Sequence, residues 1–428
     1  MSKMVAERGG PKLHWDQGTP ADAQVQERVR TLLRGTLKGP DAVEIALLRN
    51  QGLVATYEEL GIAQADLVQA GLLRNPSLGA RVRFPTGSTG SIESEFSLAQ
   101  NFLDLFTLPL RKRVAASQLD AAKARVGNAV LQLAADVRAA LVSTQAASLT
   151  AKIRGLALES QQAAAELRRR QHAAGNVGDL ELAQEEAFYQ QGKIDAARAQ
   201  AQVVEQRERL NRLLGVWGAE SASWKVDDQL ADLPAQEPPL EHVESQAIAR
   251  RLDLASARAE ADALEQSATA AGVTRFFPAV QVGVSGGRDA EGIGLVGPTV
   301  DLELPIFDQG QARTARLAAQ LRQARAREEE LAVNVRSEVR TLRNRLLSAR
   351  SVAEHYKKVV LPLRERVVKE SQLRYNSMLL GVFQLLTARR DEIDAYRDYI
   401  DSIREYWITR AELERAAGGS LLPLEKKP

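Results

Sequence analysis

The chain has 428 residues, with 57 lysines and arginines against 55 aspartates and glutamates, a net charge of +2, so nothing in its charge points to a nucleic-acid partner. It has no cysteine, which excludes disulfides, thiolate metal sites and cysteine nucleophiles. Apolar residues make up 44% and aromatics only 5%, with alanine, leucine, glutamine, glutamate and arginine recurring throughout, the usage of long helices and coiled coils.

The opening "MSKMVAERGGPKLHWDQGTP" has no apolar signal core and no cleavage site, and no apolar run reaches about 18 residues. By hydropathy alone the chain reads as soluble and cytoplasmic. Residues 1–40 are assigned as an N-terminal extension. Residues 41–214 then read as one unit: an amphipathic helix over 41–76, strands at 77–84 and 91–99, a long helix over 109–172, a glycine-bearing turn "AAGNVGDLEL", and a helix over 179–214. Residues 215–240, rich in glycine and proline, read as a linker. Residues 241–417 repeat the order: helix over 241–278, strands at 279–286 and 297–305, long helix over 309–374, turn "SMLLGVFQLL", helix over 382–417; a tail of 418–428 follows. A period of about 200 residues is too long for a solenoid and predicts duplication of one large unit.

The long helices carry seams at three- and four-residue spacing. The first uses Val130, Leu133, Val137, Ala140, Thr144, Ala147, Ala151 and Leu158, interrupted by Arg154; the second uses Leu331, Val335, Val339, Leu342, Leu346, Ala349, Ala353, Tyr356 and Val360. A helix of about 64 residues would be roughly 100 Å long, more than a compact core needs. Pro362 inside the second removes a backbone bond and predicts a kink.

All four strands alternate. Leu78, Ala80, Val82 and Phe84 oppose Ser77, Gly79, Arg81 and Arg83; Ile92, Phe96 and Leu98 oppose Glu93, Glu95 and Ser97. Val280, Val282 and Val284 alternate with Gln281, Gly283 and Ser285, and Val300, Leu302 and Leu304 with Thr299, Asp301 and Glu303. Opposite charges on the polar face of the first hairpin can pair. An ordinary sheet packed on a helix gives the same pattern. Three features favour a membrane: strand lengths near those of tilted spanning strands, aromatics at the ends (Phe102, Phe106, Phe276, Phe277, Phe307), and helices whose apolar faces are taken by their own seams. Four strands cannot close a barrel and open edges are not tolerated in lipid, so insertion requires oligomerisation. Three chains give twelve strands, the smallest closed sheet of this kind that encloses water.

The order of elements, "AVEIALLRNQGLVATYEELGIAQADLVQAGLLRNP", the turn region "AAGNVGDLELAQEEAFYQQGKIDAARAQ" and "ERLNRLLGVWG" resemble the outer membrane factor family, the TolC-like channels, across roughly residues 12 to 417. Within it the chain is most similar to members paired with heavy-metal resistance-nodulation-division pumps, the CzcC and CusC type. The resemblance implies a mainly α fold with membrane β-barrel strands, built from a duplicated helix, hairpin, long helix, turn, helix unit. A homotrimer would set a 12-stranded barrel in outer-membrane lipid on a long α-helical coiled-coil tunnel in the periplasm. It further implies passive conduction from an inner-membrane pump through a periplasmic adaptor, heavy-metal cations among the cargo, with no catalysis and no cofactor.

In such channels a gate lies at the helical tips. Asp179 stands where the first tip carries an aspartate, with Glu181 beside it, and Tyr375 matches a tyrosine that links coils. Where the family's well-known channel carries an arginine and two aspartates, this chain has Leu380, Gln384 and Thr387. Asp179, Glu181, Gln384, Arg389 and Arg390 are the candidates for a substitute network; solvated polar residues near a turn would look the same. Arg81, Arg83, Glu93, Glu95, Asp301 and Glu303 would face the barrel lumen.

Such channels need a signal peptide and many carry a lipid-bearing cysteine; the sequence has neither, and the expectation is that it begins after the signal. No metal set is expected, since His14, His172, His242 and His355 share no helical face and Met1, Met4 and Met378 do not cluster. The glycine-rich "GVSGGRDAEGIGLVG" (283 to 297) lacks the lysine and following helix of a phosphate loop and reads as the outward loop of the second hairpin. The competing reading is a periplasmic coiled-coil adaptor or scaffold without a pore, whose strands would be palindromic rather than directly repeated.

Overall fold

The computed structural model describes residues 2–9, 20–84, 86, 92–274, 280–289 and 291–421. Before the sheet come α1 (Ser2–Ala6), α2 (Pro20–Leu33), α3 (Gly39–Arg49) and α4 (Gln51–Ala70). The first hairpin, β1 (Ser77–Arg83) and β2 (Glu93–Asn101), leads to α5 (Leu103–Ala173) and α6 (Asp179–Leu214). After α7 (Glu220–Ser223), α8 (Val243–Arg250) and α9 (Leu252–Thr274) come β3 (Val280–Arg288) and β4 (Gly294–Leu302). The chain ends with α10 (Gln311–His355), a π-turn (Tyr356–Val360), α11 (Leu361–Asn376) and α12 (Val382–Ala416). The expected aromatics Phe276 and Phe277, the turn 87–91 and the end of the tail lie outside the described residues.

Several boundaries differ from the sequence reading, each for a local reason. The expected helix over 41–76 breaks at Asn50, whose extended backbone lets its Oδ1 accept a hydrogen bond from the Leu53 N–H (3.0 Å), starting α4 afresh. The helix over 241–278 breaks likewise at Arg251. Pro109 lies inside α5, which starts six residues earlier, where Asn101 Oδ1 accepts from the Leu103 N–H (3.0 Å). Around Pro362 the chain forms a π-turn: the Leu361 N–H reaches back to the Tyr356 carbonyl, five residues away. Much of the expected glycine-rich loop is strand, leaving a short turn in which Asp289 Oδ1 accepts from the N–H groups of Glu291 (3.0 Å) and Ile293 (2.8 Å).

The chain divides into two compact units. One comprises Thr56–Val126 and Leu252–Val333. It holds a four-stranded antiparallel sheet in the order β1-β2-β3-β4. The registers Leu78↔Leu98↔Val284↔Pro298 and Ala80↔Phe96↔Gly286↔Val296 align the apolar residues of all four strands on one face. A Cβ added at Gly287 would collide with the Ser94 carbonyl oxygen and one at Gly283 with that of Leu98, so only glycine allows the strands to come this close.

The other unit comprises Met1–Ala55, Gly127–Arg251 and Asn334–Pro428. Its core is the two seams. Val130, Val137, Ala140 and Thr144 are buried on α5, as are Val335, Val339, Leu342, Leu346, Ala349 and Ala353 on α10. Leu133, Ala147, Ala151, Leu158, Tyr356 and Val360 are only half-buried. The segment 215–240 is no loose linker. Buried Trp224 donates Nε1 to Asn211 (3.0 Å) under the Arg207 guanidinium, 3.9 Å from the ring centre. Glu237 takes Arg350 (2.8 Å), Arg410 (3.3 Å) and the Tyr406 hydroxyl, while Trp407 Nε1 bonds the Ala231 carbonyl (2.9 Å). Burial and the bond to Glu237 push the Tyr406 hydroxyl up to about 12.

Candidate functional site

Two regions carry the residues singled out above: the sheet in one unit and the helical tips in the other. On the sheet, Arg81 faces Glu95 (3.2 Å) and Arg83 faces Glu93 (3.3 Å), each pair in register across β1 and β2. These four groups and Arg288 and Asp289 border a cavity of about 420 Å³. Asp301 shares their face near the end of β4, opposite Gln281. Glu303 does not belong to the strand: β4 ends at Leu302, so the two-residue period no longer fixes its side.

The apolar face is bare. Leu78 is 78% exposed, Val296 83% and Val300 67%, and Phe96, Leu98 and Val284 are each more than half exposed. A soluble domain would cover such a face, and among the described residues no further strand pairs with the outer edges of β1 and β4. Phe102 and Phe106 meet edge to face at 5.8 Å where β2 passes into α5.

The first tip joins α5 to α6 through Gly175 in the left-handed region (φ 76°), and Gly178 precedes α6. His172 Nε2 lies 2.8 Å from Asp179 Oδ1 across the turn. The second tip puts a side chain, Met378 (φ 60°), into the left-handed region, and Gly381 precedes α12. Glu181 and Gln384 hold equivalent places three residues beyond these glycines. Each side chain folds back, so that a Cβ at Gly178 would stand 2.9 Å from Glu181 Oε2 and one at Gly381 2.7 Å from Gln384 Oε1. That is where a capping side chain belongs.

The remaining candidates stay within their own helix for ion pairs. Arg389 pairs with Glu392, and Arg390 approaches Asp394 (3.8 Å) while lying 5.1 Å from the Phe188 ring centre. Thr387 Oγ1 donates to the Phe383 carbonyl (2.9 Å), and Tyr375 is 37% exposed. Among the described residues no hydrogen bond or ion pair joins Asp179, Glu181, Tyr375, Gln384, Thr387, Arg389 or Arg390 to another of the seven, so the expected substitute network does not form within one chain. The sequence reading missed the His172–Asp179 contact, whose only signal was a spacing that a turn can close. It also missed Glu185, 5% exposed, whose Oε1 finds no hydrogen-bond partner and whose carboxyl burial raises against the opposing charge of Arg168.

Among the described residues no helix is long and apolar enough to cross a membrane, and no three metal-ligating side chains gather. Residues 243–419 match the family model described as outer membrane efflux protein. No curated protein sequence matches. Solved structures do: the outer membrane protein VceC of Vibrio cholerae is 19% identical over 94% of this chain and 97% of its own, with a TM-score of 0.73. CusC, in structures on transmembrane channel formation, is 18% identical over 92% of each chain with a TM-score of 0.72. The Neisseria gonorrhoeae MtrE outer membrane channel in its open state is 20% identical over 89% of this chain and 88% of its own, at 0.70. Residues 243–419 thus carry an outer membrane efflux protein domain, and the chain as a whole has the fold of the TolC-like outer-membrane efflux channels.

Proposed function

We propose that this protein is the outer-membrane channel of a tripartite efflux system. The observation that carries the proposal is the sheet: four strands with a bare apolar face, a charged polar face and two edges that pair with no other strand among the described residues. Both features are resolved if three copies join edge to edge into a 12-stranded barrel, apolar face to lipid and Arg81, Arg83, Glu93, Glu95 and Asp301 to water. Eight strands from two copies would leave an interior filled by side chains. The recurrence of hairpin, long helix, turn and helix supports internal duplication of one ancestral unit. The helical pairs α5–α6 and α10–α12 then form the periplasmic tunnel.

The tips are the gate, with Asp179, Glu181, Tyr375, Gln384, Thr387, Arg389 and Arg390 as its polar residues. Any link among them runs between chains of the trimer, since none forms within one chain. The exposed Leu180, Met378 and Leu379 at the tips offer a periplasmic adaptor an apolar surface, and an inner-membrane resistance-nodulation-division pump supplies the driving force. Heavy-metal cations are the proposed cargo, on the sequence resemblance to CusC-type members. Transport is passive and needs neither catalysis nor cofactor. The adaptor reading has no observation in its favour, since its strands would not leave an apolar face bare. Chemical crosslinking of the detergent-purified protein, exported through an added signal sequence, is expected to trap a trimer. A monodisperse monomer that stays soluble without detergent would overturn the proposal.

A further inference from the structure

Arg154 interrupts the apolar seam of α5 with a charged side chain that is only 18% exposed. Its guanidinium reaches across to Asp394 of α12 (3.2 Å), whose carboxylate is flanked by Arg397 (3.4 Å) and Arg390 (3.8 Å) of its own helix. Arg390 in turn lies 5.1 Å from the ring centre of Phe188 on α6. The Arg390–Asp394 couple therefore meets both helices of the α5–α6 pair. Another ion pair between α5 and α12, Arg138–Glu414 (3.1 Å), lies about 24 Å further from the tips along α5. On the tip side of Arg154, among the described residues, no other hydrogen bond or ion pair joins α5 or α6 to α11 or α12: Arg169 and His172 bond within the first pair, Arg364 and Glu365 within the second.

A mostly buried ion pair adds little net stability, because desolvating two charges offsets their attraction, and an apolar residue in its place is often neutral or stabilising. The best-attested use of a polar residue in a seam is to fix register or to act as a switch. Here the charges are arranged for release. If α12 moves away from α5, Asp394 keeps Arg390 and Arg397, and Arg154 needs only water. We propose that Arg154 and Asp394 form a releasable tie that holds the tip-side half of α12 against the α5–α6 pair, with Arg390 on Phe188 as its second contact. On the proposed channel function, on which this part rests, the tie restrains opening from within each chain, roughly 30 Å along α5 from its end at Ala173.

The test is double electron–electron resonance of the full chain in detergent, with nitroxides on cysteines introduced at Gln184 and Phe383, which line one gap between α6 and α12. The chain has no cysteine of its own to compete for label, and dilution with unlabelled protein isolates the distance within one chain. Arg154→Leu is expected to lengthen or broaden that distance while its thermal midpoint stays at or above that of the wild type. Asp394→Asn, which leaves Arg154 unpaired, should change the distance in the same way. Arg154→Lys should recover most of the wild-type distribution, and Lys152→Gln, which breaks an exposed ion pair of α5 with Asp228, should leave it as it is. In planar bilayers Arg154→Leu should spend at least about fivefold more time open. Unchanged distances in both Arg154→Leu and Asp394→Asn would overturn the inference, as would a lower midpoint in Arg154→Leu, the mark of a purely structural pair, or an unchanged open time in a trimer that conducts. A lengthened distance in a protein that conducts no current would keep the tie and remove the channel reading instead.

Discussion

Valine and leucine line both the seam of α10 and one face of the sheet, and they meet different surroundings in the two places. Val335, Val339 and Leu346 are 0 or 1% exposed, while Leu78, Val296 and Val300 are 67 to 83% exposed. Three- and four-residue spacing brings apolar groups onto one helical stripe that another helix of the same chain can cover. Two-residue spacing creates an equally apolar face, but among the described residues no element closes over it. The helical unit thus completes its own core, whereas the sheet leaves a face and two edges that the proposed barrel would supply with lipid and further strands. A substitution in the helical unit should change the stability of the folded chain, and one on the sheet should change its assembly in lipid.

The largest effect is expected in the helical unit. Glu237→Ala removes the carboxylate shared by Arg350, Arg410 and the Tyr406 hydroxyl, leaving the two guanidiniums only Glu354 and Glu414 of their own helices, and should destabilise the protein by about 3–5 kcal/mol, read as a lower denaturation midpoint of the helical signal. On the sheet, Val284→Arg should hardly alter that midpoint, yet it puts a charge on the apolar face of a central strand, the face proposed to meet lipid. Near the bilayer midplane this costs about 2–4 kcal/mol, and the yield of trimer in outer-membrane fractions should fall. If the midpoint fell and the trimer yield held, the comparison would be wrong.

Glu185→Gln refines the comparison, because it removes the charge from a buried position on α6 whose Oε1 finds no hydrogen-bond partner. Burial raises the wild-type carboxyl above its ordinary 4.5, so the native state loses stability as the pH rises from 4.5 through that raised value. The amide should therefore melt at higher temperature at pH 7, a gain that disappears near pH 4.5. Equal gains at both pH values would contradict the assignment to ionisation. The smallest effect is expected at the second tip. Met378→Gly relieves about 1–2 kcal/mol of left-handed strain but adds about 0.5–1 kcal/mol of unfolded-state entropy. The net change in thermal stability should be a gain of about 1 kcal/mol or less.

The features legible in the sequence are those set by local periodicity. The alternation of Leu78, Ala80 and Val82 against Arg81 and Arg83 already contained the two faces and the charge pairs, and Val335 to Ala353 contained the seam. Features that depend on a distant partner were not legible. Asn50 and Asn101 start helices only because their side chains turn back on the following turn, and nothing local distinguishes them from other asparagines. Residues 215–240 have a linker's composition, and besides Asn211 and Arg207 at Trp224, what pins them is Arg350, Tyr406 and Trp407 from more than a hundred residues away. At the tips the sequence picked out polar residues beside glycine turns, but Glu181 and Gln384 occupy helix-capping positions. His172, read as solvated, is the residue that meets Asp179.

The most direct test of the channel is the conductance of the purified trimer in a planar lipid bilayer. Discrete, salt-dependent current steps are predicted, with more time spent open in Asp179→Ala if the first tip helps to hold the entrance shut. An unchanged trace in that variant would remove Asp179 from the gate, and the absence of any conductance in reconstituted wild-type trimer would contradict the channel itself.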